Sequence, residues 1–148
     1  MSAPKLSVGD VIAAQPRPIT LRRAGWYSIG LMTASAGEMK PIQKNIHTSE
    51  EVAASQGLPC PIADGMHSTN WLSKLMTQTF GHHYFERGSL RTKYIKITPV
   101  GEPITCKLQV TAVEAAPRGI KYILDAWTEN SAGVKLTVGD ASVVVSES

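Results

Sequence analysis

Met66-His67-Ser68-Thr69-Asn70-Trp71-Leu72-Ser73-Lys74-Leu75-Met76-Thr77-Gln78-Thr79-Phe80 places apolar residues at helical spacing. Leu72, Leu75, Met76 and Phe80 recur at intervals of three and four with Trp71 adjoining, whereas Ser73, Lys74 and Gln78 fall elsewhere. The spacing predicts an amphipathic helix with a wide buried face, stopped by Gly81. Downstream the period changes to two. Ile104, Cys106, Leu108, Val110 and Ala112 alternate with Thr105, Lys107, Gln109 and Thr111, and similar runs fill 90–97, 120–127 and 134–145. Turns at Val100-Gly101-Glu102-Pro103, Pro117-Arg118-Gly119 and Asn130-Ser131-Ala132-Gly133 join these four strands, so an antiparallel meander is expected. A sheet must bury one face, and one long helix is present to cover it. The fold class is therefore α+β: a curved antiparallel sheet wrapped around a long central helix, one domain over 1–148, with 1–19 as an N-terminal arm or strand.

Upstream, Thr20 is a plausible N-cap for a short helix to Met32, and the run from Thr33 to Asn45, interrupted by Gly37 and Pro41, reads as a loop. Thr48-x-x-Glu51 is a capping-box pattern for a second short helix, with Glu50 and Glu51 at the positive end of its dipole. Gly57 ends it, and Pro59 and Pro61 force an extended passage to Asp64.

Composition excludes several function classes. The 148 residues are 43% hydrophobic and 18% charged, a globular composition of single-domain length. No apolar run approaches the roughly 20 residues that span a bilayer, and Met1 to Asp10 holds no signal-peptide core, so a cytoplasmic soluble protein without membrane contact is expected. The net charge of +3 is scattered and aromatics are 6%, which argues against nucleic acid as a partner and suits a phosphate-bearing ligand such as coenzyme A or a phosphopantetheine arm. Cys60 and Cys106 are read as reduced thiols. No metal-ligand spacing occurs, including around His82-His83, and neither metal nor cofactor is expected.

The segment from Lys44 onward resembles the active-site segment of the MaoC-like, R-specific enoyl-CoA hydratases and dehydratases, which have a hotdog fold. Their signature runs Gly-Asp-x-Asn-Pro-x-His, then five residues, then Ala or Ser; here His47 is followed at that spacing by Ala53. Pro61-Ile62-Ala63-Asp64-Gly65-Met66 looks like the family's Pro-hydrophobic-Ala-His-Gly-Met turn, and Arg87–Pro99 and Thr105–Val113 look like its two strands after the helix. The resemblance spans about residues 44–145. Among its departures, the family's aspartate corresponds to Ile42 and its asparagine to Lys44.

The resemblance implies hydration or dehydration of an acyl thioester, carried on coenzyme A or a carrier protein, at a pocket formed in a homodimer. Such chemistry needs a base for water, a proton donor to the α carbon, and dipoles at the enolate oxygen. His47 is the expected base or acid, because imidazole exchanges protons near neutral pH. Backbone N–H groups of Gly65 and Met66 are expected to receive the thioester oxygen, with Gly65 letting the acyl group approach closely. Asp64 is a candidate replacement carboxylate or an N-cap, and Glu38 a second, solvent-facing candidate. Lys44 and His67 complete the expected substrate-binding set. With Ile42 and Lys44 in place, two alternatives stand beside hydration: isomerisation or cyclisation without water, and a catalytically silent subunit of a heteromer. Thioester hydrolysis needs a carboxylate on or beside the central helix, and 67–79 holds none.

Overall fold

The computed structural model describes residues 5–39, 41, 43–117 and 119–146. Ile42, Arg118 and the first four residues of the arm lie outside them. Elements run β1 (Val11–Ala13), β2 (Arg17–Pro18), α1 (Leu21–Ala36), α2 (Glu50–Ser55), α3 (Gly65–Phe80), α4 (His82–Arg87), β3 (Gly88–Tyr94), β4 (Pro103–Ala116), β5 (Gly119–Asn130) and β6 (Lys135–Ser146).

Helix α3 is the expected central helix. Leu72, Met76 and Phe80 are at most 1% exposed. They pack on alternate residues of the sheet's inner face: Cys106, Leu108 and Val110 of β4, Tyr122, Leu124 and Ala126 of β5, and Ala141 and Val143 of β6. Phe80 and Tyr122 meet ring to ring at 5.8 Å between centroids. The register explains why these residues share a face, since Leu124 lies opposite both Val110 and Ala141, so the inward positions of three strands fall in one row. A register shift between Val110 and Ala112 bends β4.

The sheet order β1-β4-β5-β6-β3 corrects the simple meander. Only β4, β5 and β6 are successive neighbours; β3 pairs with β6, Leu90 opposite Ala141, at the far edge. Its exit chain crosses the start of α3 before β4 begins, held by Ile95 and Lys96 N–H groups on Leu136 O and by Ala63 N–H on Thr98 O. The arm supplies β1 and β2, both antiparallel to β4.

Two local expectations also change. Thr20 caps α1 through Arg23 N–H, but the helix runs on to Ala36 because nothing before Gly37 (φ 71°) breaks it. The cap of α2 is Ser49, not Thr48, whose hydroxyl is committed to Gln43 O and Asn45 N–H. His82 and His83 begin a further short helix, α4, with rings 3.9 Å apart.

On the outer face Glu129 accepts from Lys107 Nζ (2.6 Å) and Trp127 Nε1 (2.7 Å), while Lys135 Nζ stands 4.4 Å from the Trp127 ring. The Lys107 bond, then the Trp127 bond, hold the Glu129 carboxyl below its ordinary pKa. A depressed folded value stabilises the fold above pH 4.5 and is lost as pH falls through that folded value. Melting temperature should therefore fall more steeply below pH 4.5 in the wild type than in Glu129→Gln. Leu72→Ala, which empties a fully buried site, should cost about 2–5 kcal/mol in urea unfolding.

Candidate functional site

His47 sits on the loop before α2, and the loop is built by Asn45. Asn45 Oδ1 accepts the His47 N–H (2.8 Å), and its Nδ2 donates to Ser28 Oγ of α1 (2.9 Å). The imidazole Nδ1 is 2.7 Å from Ile62 O. A carbonyl oxygen only accepts, so Nδ1 carries the proton and Nε2 of the neutral ring keeps its lone pair. His47 and Gly65 line one groove of ≈ 390 Å³, together with Ile62, Ala63 and the chain from Tyr94 to Thr98.

At the start of α3 the donors are unequal. Asp64 is the N-cap: its Oδ1 accepts the Met66 N–H at 2.9 Å, and its carbonyl accepts the His67 N–H at 3.0 Å. Among the described residues this leaves the Gly65 N–H without a partner, at the positive end of a 16-residue helix. Of the two N–H groups expected to receive an oxygen, Gly65 is in place and Met66 is occupied. The missing side chain of Gly65 has a different use from the one expected. A Cβ there would lie 2.7 Å from the Tyr94 ring, so the ring, rather than an acyl group, fills that space. Tyr94 is held by hydroxyl contacts to Thr69 Oγ1 (2.8 Å) and Met66 Sδ (3.3 Å).

His67 is 6% exposed, with the Tyr27 ring at 4.1 Å and the Trp71 ring edge-on at 6.4 Å. Burial pushes its pKa below the ordinary imidazole value; the Asp64 charge opposes this, and Arg23 and His47 reinforce it. Its Nδ1 is buried without a partner. Tyr27, whose hydroxyl accepts from Asn70 Nδ2 (3.0 Å), has its pKa raised by burial first and by Asp64 second. His47, Asp64, Gly65 and His67 are thus gathered around the start of α3. Lys44 is not: it pairs with Glu51 at 3.4 Å on the surface, both side chains more than three-quarters exposed. Glu38 is exposed just beyond α1 and does not line the groove. Cys60 is half-buried and Cys106 buried, both free thiols. Among the described residues no three His, Cys, Asp or Glu side chains converge as metal ligands, and no helix is long and apolar enough to cross a membrane.

Sequence reasoning missed Asn45, Tyr27 and Tyr94. Asn45-x-x-Thr48 carries a local signal, because an asparagine two residues before His47 can cap that residue's N–H. Tyr27 and Tyr94 reach the site only through tertiary packing.

Comparison with solved structures follows the same outline. An (R)-hydratase from A. caviae involved in PHA biosynthesis superposes with a TM-score of 0.70 at 19% identity, covering 97% of this chain and 99% of that one. A MaoC-like dehydratase from Rhodospirillum rubrum gives 0.68 at 20% identity over 97% and 94%. The ChsH1-ChsH2 complex from Mycobacterium tuberculosis gives 0.70 at 14% identity over 95% and 99%. The chain has the hotdog fold. No protein-family model matches the sequence, and no curated protein matches it significantly. In this hotdog domain one extended segment, Pro61–Ala63, leads into the helix start and is bonded to the His47 loop by Ile62 N–H on Ile46 O and to the β3–β4 connection by Val100 N–H on Pro61 O.

Gly65→Ala should force the Tyr94 ring aside and cost about 1–3 kcal/mol. Tyr94→Ala in the same chain should recover most of that loss, measured by thermal unfolding of the single and double variants.

Proposed function

We propose that this chain is a MaoC-like enzyme that hydrates an enoyl thioester or dehydrates the corresponding hydroxyacyl thioester, bound to coenzyme A or a carrier protein. The observation that supports it is the shared groove: His47, whose imidazole Nε2 lone pair is uncommitted, and Gly65, whose helix-start N–H has no partner among the described residues, line the same cavity. In hydration, His47 Nε2 takes a proton from water as its oxygen attacks the β carbon. The Gly65 N–H then stabilises the negative charge that grows on the thioester oxygen. The enolate collapses as a proton returns to the α carbon, and dehydration is the reverse. Asp64 holds the helix start in this scheme, and His67 borders it. The fold's likeness to hydratases and dehydratases supports the reading, and the homodimer expected from the sequence belongs to it.

His47→Ala should lower turnover of a short enoyl-CoA at least about a hundredfold at a temperature where the variant is still folded. An unaltered rate in that variant overturns the assignment.

A second reading rests on one specific observation: among the described residues no carboxylate lines the groove, because Asp64 is spent on the Met66 N–H. Two proton transfers then fall to one imidazole, unless a partner chain brings the second group or the reaction needs no water. The ChsH1-ChsH2 structure is itself a complex. Turnover by the purified chain alone, with solvent oxygen-18 entering the product, supports hydration by a self-sufficient site. Turnover without label supports isomerisation or cyclisation, and silence until a second hotdog chain is added supports the heteromer.

A further inference from the structure

Arg17 is half-buried, yet among the described residues its guanidinium meets no carboxylate and donates no hydrogen bond. It rests instead on Trp71, with its central carbon 3.8 Å from the ring centroid. Both ends of the side chain are fixed, because the Arg17 backbone pairs with Ile104 of β4 while Trp71 anchors the head group. Stacking uses the face of a guanidinium and leaves its fork of in-plane N–H donors, the geometry that matches a carboxylate, uncommitted.

Beside it lies a cavity of ≈ 280 Å³ between the arm and α3. Its floor is apolar and deeply buried: Leu75 is 5% exposed, Ile104 1% and Cys106 3%. Its rim adds the exposed Lys74 and the amides of Gln15 and Gln78, and no acidic residue lines it. The Cys106 thiol is pushed up to about 12 by burial, with Arg17 opposing, so it packs as a neutral thiol. None of the lining residues is shared with the His47 groove.

We propose that this cavity is a second ligand site that binds a small carboxylate with a short apolar tail, the carboxylate on the Arg17 fork and the tail over Leu75, Ile104 and Cys106. Two cations without counter-charges supply the attraction, and the fixed guanidinium has little rotamer entropy left to lose. The volume lies just under the range of about 300–1,000 Å³ usual for ligand pockets, which suits an acid of a few carbons and excludes a nucleotide.

Titration calorimetry of the whole chain with sodium pentanoate tests this, with pentanamide and inorganic phosphate as controls. The Trp71 indole N–H, identified through Trp71→Phe, reports the location by NMR. Pentanoate should bind saturably and move that signal, and both controls should bind at least about tenfold more weakly. Arg17→Met, which keeps the stem over Trp71, should weaken pentanoate at least about tenfold. Gln78→Glu, a carboxylate added at an exposed helix position, should weaken it as well and serves if Arg17→Met does not fold. Absence of saturable binding, phosphate binding as tight as pentanoate, or unchanged affinity in the variant that folds would each overturn the proposal. None of these readings depends on turnover, so the outcome stands apart from the assignment of His47.

Discussion

The peptide at Ile62 is tied on both sides, and the site depends on it. Its N–H donates to Ile46 O at 3.1 Å and its carbonyl accepts the His47 Nδ1 proton at 2.7 Å. One short segment therefore fixes the backbone that carries the imidazole and the ring itself. The next residue, Ala63, donates to Thr98 O at 2.8 Å, and Asp64 after it caps α3. Three consecutive positions, Ile62 to Asp64, thus align the His47 loop, the β3–β4 crossing and the helix start. Local geometry of this kind persists because each bonded group would otherwise stand desolvated and unpaired. The apolar stripe of α3 against the sheet supplies the driving force, and Ile62 converts that packing into the position of one nitrogen.

The parts of this arrangement legible in the sequence are those that obey local periods. Leu72, Leu75, Met76 and Phe80 announce a buried helix face, and Ile104 to Val110 announce an inward strand face, because each side chain's direction follows from its neighbours' spacing. The joint placement of His47 and Gly65 was legible through a spaced motif. What failed was non-local or decided by competition. Strand β3 gives the same alternation whether it pairs with β4 or β6, and only the crossing over α3 settles which. Thr48 and Ser49 both offer a hydroxyl to α2; Thr48 lost because Asn45 and Gln43 claimed it first. Tyr94 gave no sign that its ring would fill the space of a missing Cβ at Gly65.

Trp71 lines the arm cavity and packs toward the start of α3. One side of its environment is Arg17, the other His67, whose ring it meets edge-on. The His67 Nδ1 and the Ser68 Oγ are both buried without partners at the start of the same helix. Unpaired polar atoms in a packed interior weaken it, typically by about 1–3 kcal/mol each. The same cost falls on His83 Nδ1 in α4 and on Thr128 Oγ1 in β5, so it is shared between the start of α3 and the far end of the core.

Charge at the helix start constrains the chemistry further. Asp64 stabilises α3 by capping it and does not line the groove, but its negative charge sits next to the Gly65 N–H that would receive an enolate oxygen in the proposed reaction. It raises the Tyr27 phenol and opposes the lowering of His67, so its field reaches both rings. An enolate beside Asp64 is therefore stabilised less than at a helix start without an acid. In the proposed hydration, proton transfer to His47 would offset this, since an imidazolium formed in that step adds a positive charge to the groove as the oxygen turns negative. Under that proposal, water activation and enolate stabilisation would be coupled through one imidazole, which would favour concerted transfer over a free enolate that waits for its proton.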